Sequence, residues 1–230
     1  MKISIYWISR KRTEELSYSI ASFVQSARNP KNLEIIVCHD EADTETPNGL
    51  SKINRIVKKV TGNDIMILKS VRHGYWYLDR YANYIGKHFN GDCLLGPNDD
   101  MFCDTIHWDD ILIESLKDYT EEPVFIWPEC STNTEPPRMP RMYGINRKWY
   151  QKTQNVYSWY CGDVYFPKLI KRTGVRVAYP EFEVHHLRQL EDENYKEGRG
   201  SKGPRSRYED DVPGDFERDV RNLMKGDRNE

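Results

Sequence analysis

The chain has 230 residues, of which 38% are hydrophobic and 12% aromatic, so it can bury a sizeable core and does not have the composition of a disordered protein. Its formal net charge of -2 argues against a nucleic-acid partner bound through overall positive charge. The sequence contains no transmembrane segment, since no apolar stretch approaches the roughly 20 residues that a membrane-spanning helix needs. The first apolar run is too short for a signal-peptide core, so we expect a cytoplasmic protein.

Strand-like and helix-like patterns alternate through the first half of the chain. Short apolar runs predict strands, and apolar residues spaced three or four apart predict helices. The predicted strands are 3–8, 34–38, 65–68 and 92–95, and the predicted helices between and after them are 16–27, 50–60 and 77–89. This alternation is typical of βαβ units and a mostly parallel sheet.

The second half is less regular. The patterns predict a helix near 111–116, a strand at 124–127, a loop over 129–140, a strand at 142–146, a helix over 163–173, and strands at 175–179 and 182–185. We assign residues 1–190 to a single α/β domain. Residues 191–230 are predicted to form a charged, flexible tail with a short terminal helix, because 21 of these 40 residues are charged.

The strongest candidate for chemistry is the turn after the predicted strand at 92–95. There Asn98, Asp99 and Asp100 follow an apolar run. Ligands of parallel sheets bind beyond the carboxyl ends of the strands, and two adjacent carboxylates can hold Mn²⁺ or Mg²⁺ when a substrate diphosphate supplies further oxygens. The alternative is a polar turn in which one of the two aspartates caps a helix.

Other candidates are weaker on their own. His185 and His186 end a predicted strand and are either metal ligands or a packed surface pair. Asp163 is either a general base or the N-cap of the helix that follows. Asp40 follows the second strand, where a carboxylate can bind a nucleoside. Motifs for dinucleotide binding, P-loop chemistry and a nucleophile elbow are absent from the sequence.

The order of these features resembles the GT-A fold glycosyltransferases, especially family 2-like inverting enzymes, over residues 2–188. The resemblance implies a Rossmann-type, mostly parallel sheet flanked by helices. It implies Asp163 as catalytic base, and it implies Asp100 with His185 or His186 as ligands of a divalent metal, Mn²⁺ or Mg²⁺. The nucleotide-binding residues that it implies are Ser9, Arg10, Asp40, Arg72, Asn83, Asn98 and Asp99.

The chain departs from the family pattern at several positions. Asn98 stands where the metal motif usually begins with an acid, and Gly162 stands where a second acid usually precedes the base. The acidic loop after the second strand, residues 39–43, also differs from the usual sequence, which leaves the nucleotide open. The Q-x-x-R-W signature of processive synthases is absent, which favours a single transfer.

The expected function is transfer of one sugar from a nucleotide-diphosphate sugar, with a UDP-sugar favoured, to a hydroxyl of a glycan or another acceptor. A hexosyltransferase with inversion at the anomeric centre is expected. Tyr157, Trp159 and Tyr160 are either an acceptor-stacking surface or part of the core. A sugar nucleotidyltransferase and a non-catalytic interaction protein on the same fold are the alternatives, and the neutral body disfavours a binder of single-stranded nucleic acid.

Overall fold

The structure is a computed structural model that describes residues 1–74, 77–130, 142–157, 162–186 and 214–225, with the side chains of 129–130, 162–164, 186 and 214–215 outside the description. The strands are β1 Ile3–Ile8, β2 Leu33–Asp40, β3 Met66–Ser70, β4 Cys93–Gly96, β5 Met101–Cys103, β6 Val124–Ile126, β7 Glu129–Cys130, β8 Tyr143–Asn146, β9 Arg176–Ala178 and β10 Glu183–His186. The helices are α1 Thr13–Ser26, α2 Glu45–Thr61, α3 Leu78–Gly86, α4 Trp108–Leu116, α5 Arg147–Thr153, α6 Gly162–Thr173 and α7 Gly214–Met224.

A seven-stranded sheet organises the molecule, in the order β3-β2-β1-β4-β8-β6-β9. β1 pairs in parallel with β2 and β4, β2 with β3, and β6 with β9, whereas β8 runs antiparallel to both its neighbours. The mostly parallel α/β sheet predicted from the sequence is therefore confirmed. Because β1, β2 and β4 point the same way, the loops after them meet at one edge of the sheet, called the carboxyl edge below.

Apolar side chains cover both faces of this sheet, as expected for strands with helices on each side. On one face Trp7, Phe23 and Trp108 are fully buried and contact one another in edge-on pairs with ring centroids 5.5 to 5.9 Å apart. On the other face Phe166 of α6 packs on Phe125 of β6 at 4.4 Å. The helices are thus fixed to the sheet by large aromatic contacts, which hold the carboxyl edge in place.

A second sheet lies beyond β4, in the order β5-β10-β7. The sequence patterns predicted β10 but missed β5 and β7, which have three and two residues, and they also missed α5. β7 begins the stretch predicted as a loop, and the remainder of that stretch lies outside the described residues.

The charged tail is described only in its last helix. α7 packs on α5 and α6 through Phe216, Val220 and Leu223, and the buried Asp219 accepts a hydrogen bond of 2.5 Å from the Tyr165 hydroxyl. Residues Gly214–Met224 thus form a helix that packs on the domain. The predicted boundary at residue 190 and the part of the predicted tail over 191–213 lie outside the described residues. No helix in the described part of the chain has the length and apolar character to cross a membrane.

Candidate active site

The loop after β1 contributes side chains to the ends of two neighbouring strands. The backbone N–H of Ser9 donates to the Cys38 carbonyl oxygen at 3.1 Å and extends the β1–β2 ladder by one bond. Lys11 then adopts a left-handed backbone, with φ of 60°, which a residue with a side chain seldom does. Its N–H donates to Asp43 Oδ2 and Thr46 Oγ1, each at 3.1 Å, so the start of α2 and the loop before it hold the turn that carries Arg10 and Arg12.

The first cluster is built around the two aspartates after β4. Asp99 accepts hydrogen bonds from Ser9 Oγ at 2.8 Å and from Arg12 Nη1 at 3.0 Å. The same Arg12 nitrogen lies 4.0 Å from Asp100 Oδ2. Both aspartates are buried, so one guanidinium faces two carboxylates with little water between them.

A glycine allows this cluster to form beside β1. Gly96 is the last residue of β4, and a side chain there would overlap the ring of Tyr6. The close approach of the two strands brings Asp99 within hydrogen-bond distance of Ser9.

The environment of Asp99 disfavours its ionised form. Burial raises the pKa of this carboxyl, the Arg12 guanidinium and the Ser9 hydroxyl lower it, and the neighbouring Asp100 raises it again, so that the net pKa is about 6. Buried carboxylates whose charges are not fully compensated are characteristic of functional sites. A cation that entered here would be attracted by both aspartates.

The second cluster lies at the end of β2. The Tyr81 hydroxyl donates a short hydrogen bond to Asp40 Oδ1, and Arg10 Nε lies 3.5 Å from Asp40 Oδ2. The hydroxyl in turn accepts from the His73 backbone N–H at 2.7 Å. Burial and the Asp40 carboxylate raise the pKa of Tyr81 to about 12, so this hydroxyl keeps its proton at neutral pH. Asp40 is thereby held rigidly at the carboxyl edge.

The other expected nucleotide-binding residues are more scattered. Arg72 follows β3 with an exposed side chain, and the exposed Asn98 lies in the turn before Asp99. The Asn83 side chain bonds to backbone groups of residues 156 and 157 at 2.6 to 3.2 Å. Asn83 therefore fastens the segment after α5 to α3, and its amide is occupied by those bonds.

The two histidines differ in their relation to Asp100. In the antiparallel β5–β10 pair, His185 lies opposite Phe102, and its ring stacks on the Phe102 ring at 5.1 Å. His185 Nε2 lies 3.1 Å from Asp104 Oδ2, on the far side of Phe102 from Asp100 in the chain. His186 is opposite Met101, the residue directly after Asp100. The backbone register therefore places His186 opposite the residue that follows Asp100, while the side chain of His185 is turned toward Asp104.

Asp163 lies in the first turn of α6. The helix begins at Gly162, so Asp163 is its second residue and not the N-cap that the sequence pattern allowed as an alternative. Because α6 leads into β9, which is parallel to β6, the helix starts at the carboxyl edge.

The residues present fit a divalent cation only in part. The part of the chain that the structure describes contains no cluster of three His, Cys, Asp or Glu side chains that could hold a metal ion. Asp99 and Asp100 offer carboxylate oxygens, the donors that Mg²⁺ and Mn²⁺ prefer. A cation at this site would thus depend on further oxygens from a bound ligand, as a diphosphate would supply.

Solved structures with the same architecture include nucleotide-sugar complexes. A mannosyltransferase from Pyrobaculum calidifontis, PcManGT, in complex with GDP-Man and Mn²⁺, superposes with a TM-score of 0.62 at 11% sequence identity, covering 97% of this chain and 69% of that one. The chain has a glycosyltransferase fold. The structure of S. aureus TarS 1-349 with UDP-GlcNAc gives a TM-score of 0.60 at 10% identity, covering 85% of this chain and 61% of that one.

These similarities are in structure alone. No protein-family model and no curated relative matches the sequence. The chain spans about three fifths of the length of TarS 1-349. The glycosyltransferase fold predicted from the order of motifs is confirmed, and the predicted site residues stay predictions.

Two residues at this edge were missed by the reasoning from sequence. Arg12 belonged to a basic run, and only its bond to Asp99 distinguishes it from Lys11. Tyr81 belonged to an apolar helical stripe, and only its bond to Asp40 shows a polar role. Tyr157, offered as an acceptor-stacking residue or a core residue, is only 2% exposed and belongs to the core, while Trp159 and Tyr160 lie outside the described residues.

Proposed function

We propose that this protein transfers a single hexosyl group from a nucleotide-diphosphate sugar to an acceptor hydroxyl, with inversion and with the help of a divalent cation. The observation that carries the proposal is the meeting of Ser9, Asp40, Asp99 and Asp100 at the carboxyl edge of a glycosyltransferase fold. A nucleoside, a diphosphate and a cation each find suitable donors or acceptors there.

The nucleoside end of the donor is assigned to the Asp40 cluster. Asp40 is held by Tyr81 and Arg10, so its carboxylate is oriented before a ligand arrives. A carboxylate accepts hydrogen bonds from the N–H groups of a base or from ribose hydroxyls. We favour UDP as the nucleotide, although the structural neighbours carry both UDP-GlcNAc and GDP-Man.

The diphosphate end is assigned to Asp99 and Asp100. Mn²⁺ or Mg²⁺, when bound there, would supply positive charge to the leaving diphosphate. Asp100 and His186 are the residues that we expect to hold the cation, because His186 is opposite Met101 in the β5–β10 register and His185 is directed to Asp104.

Asp163 is assigned the role of general base. From the first turn of α6 it would accept the proton of the acceptor hydroxyl as that oxygen attacks the anomeric carbon. Attack from the side opposite the diphosphate inverts the configuration at that carbon. A positioned base of this kind contributes roughly 10²–10⁴-fold to the rate.

The first experiment is calorimetric titration of the protein with UDP and with GDP, each in Mn²⁺ and in EDTA. Manganese-dependent binding of one nucleotide supports the proposal and identifies the donor class. A folded protein that binds neither nucleotide would favour the alternative of a non-catalytic interaction protein on this fold.

The second experiment separates transfer from binding. Asp163→Asn is expected to lower the transfer rate by at least about 10²-fold while donor affinity stays within twofold. Glu181→Gln is the control, because it removes an exposed carboxylate after β9 near the same edge. Equal losses of donor affinity and rate in Asp163→Asn would assign Asp163 to the structure of α6 and remove it as the base.

A further inference from the structure

Arg12 lies close to both Asp99 and Asp100, the carboxylates to which the donor diphosphate is assigned. Its Nη1 lies 3.0 Å from Asp99 Oδ1 and 4.0 Å from Asp100 Oδ2. The side chain of Arg12 is 18% exposed, and those of the two aspartates are 9% and 8% exposed. Charges this close and this sheltered interact far more strongly than charges on the surface.

The position of Arg12 in the chain is locally unfavourable. It is the N-cap residue of α1, where Ser, Thr, Asp and Asn are preferred, and its side chain makes no capping hydrogen bond. A cation at a helix N-terminus also opposes the helix dipole. The preceding residue, Lys11, has the left-handed backbone that glycine or asparagine would adopt more easily. The local sequence does not account for an arginine here, whereas its contacts with Asp99 and Asp100 do.

We propose that Arg12 is a built-in counter-cation of the Asp99–Asp100 pair, which competes with the divalent cation for Asp100 and binds the donor diphosphate once the cation has taken its place. This inference rests on the proposed function. A divalent cation held by Asp100 repels a guanidinium a few ångströms away. Arg12 can then turn to the phosphate oxygens, which a guanidinium binds well through two parallel hydrogen bonds.

The consequence is that cation and diphosphate assist each other's binding. In the free protein Arg12 partly neutralises the site, so a cation alone binds weakly. When the diphosphate is present, it provides both ligand oxygens for the cation and a new partner for Arg12. The chain's own residues thereby couple the two binding events.

The test measures two affinities that this role moves in opposite directions. Arg12→Gln removes the charge and keeps a polar side chain of similar reach. Electron paramagnetic resonance of the free ion measures Mn²⁺ binding without nucleotide. This binding is expected to become tighter by on the order of tenfold, because the competing charge of Arg12 is gone. UDP binding in saturating Mn²⁺, measured by calorimetry, is expected to weaken by on the order of tenfold, because a phosphate partner is gone.

Two matched variants complete the design. Arg12→Lys keeps the charge, so its Mn²⁺ affinity is expected to stay within about threefold of the wild type. Arg10→Gln removes the other arginine of the same turn, which lies 3.5 Å from Asp40, and it is expected to leave Mn²⁺ affinity without nucleotide unchanged. Circular dichroism confirms the fold of each variant.

The outcomes are decisive in each direction. Mn²⁺ affinity that is unchanged or weaker in Arg12→Gln overturns the proposal, since a structural residue would weaken both affinities. If Arg12→Gln does not fold, the wild type is titrated with Mn²⁺ with and without saturating UDP, and a difference below twofold overturns it. A chain that binds no nucleotide refutes the proposed function, but the Mn²⁺ comparison still decides whether Arg12 competes for Asp100.

Discussion

Two buried carboxylates lie at opposite edges of the same sheet and differ in how well their charges are compensated. Glu34, at the start of β2, accepts hydrogen bonds from Ser4 Oγ at 2.5 Å, from both nitrogens of Asn90 at 2.7 and 3.0 Å, and from Lys2 Nζ at 3.0 Å. Asp99, at the carboxyl edge, has Ser9 and Arg12 as partners and a second carboxylate beside it.

The pKa values of these groups shift in opposite directions for this reason. Burial raises the pKa of Glu34, but the hydrogen bonds from Ser4, Asn90 and Lys2 outweigh it, and the net pKa is below its ordinary value. For Asp99 burial outweighs its partners, and the pKa rises to about 6. Ionised Glu34 therefore stabilises the fold. The charge of Asp99 is only partly compensated, and a bound cation would compensate it further. The contrast favours the carboxyl edge as the place where the proposed ligand binds.

The largest expected difference between the two edges is in catalysis. Asp100→Ala should lower the rate of sugar transfer by at least about 10³-fold, because it removes a ligand of the proposed cation. Donor affinity should fall in Mn²⁺ and stay unchanged in EDTA. Glu34→Gln, at the other edge, should leave both quantities within about twofold. Loss of folding in metal-free Asp100→Ala would contradict the assignment of Asp100 as a ligand.

The second difference is in the response to pH. Because the pKa of Asp99 is raised, its ionisation lowers the free energy of unfolding. This decrease is absent below about pH 4 and complete above about pH 6. In metal-free buffer, the free energy of unfolding of Asp99→Asn relative to the wild type should therefore rise by roughly 2–3 kcal/mol between pH 4 and pH 7. Urea titrations at four pH values measure it, and a flat difference would refute the raised pKa.

The stability of the fold should depend on the other carboxylate. Glu34→Gln should lower the free energy of unfolding by about 2 kcal/mol at pH 7, because charged hydrogen bonds to Ser4, Asn90 and Lys2 are lost. Since the pKa of Glu34 is lowered, this contribution is present above its unfolded pKa and disappears as the pH falls below it. A variant as stable as the wild type at pH 7 would contradict this role.

The smallest effects come from a matched pair of serines, one at each edge. Ser4→Ala should lower the free energy of unfolding by about 1 kcal/mol, because Glu34 and the Gly91 N–H both lose a partner. Ser9→Ala should change stability by less than that and should weaken nucleotide binding by a few-fold instead, since Ser9 orients Asp99. If the two variants exchanged these effects, the distinction between the edges would be wrong.

Much of the architecture could be predicted from local sequence, because it depends on continuous apolar runs and on apolar residues at helical spacing. β1, β2 and the stripes of α1 and α2 were found in this way, and they imply the parallel order that brings strand ends together. The same patterns located the acidic turn after β4. They did not find β5, β7 or α5, whose short spans are fixed by pairing with distant strands and by packing.

The sequence by itself determined the fold class. It indicated Asp40, Asp99 and Asp100 because polar groups that follow the strands of a βαβ chain lie at the carboxyl edge, and it indicated Asp163 as an acid at the start of a predicted helix. Only the tertiary structure decided which partners they have. It joined Arg12 to Asp99 and Tyr81 to Asp40, and it turned His185 toward Asp104. Those contacts join residues 41 to 87 positions apart in the chain. Such pairs depend on how neighbouring strands and helices pack, and local sequence patterns do not show this packing.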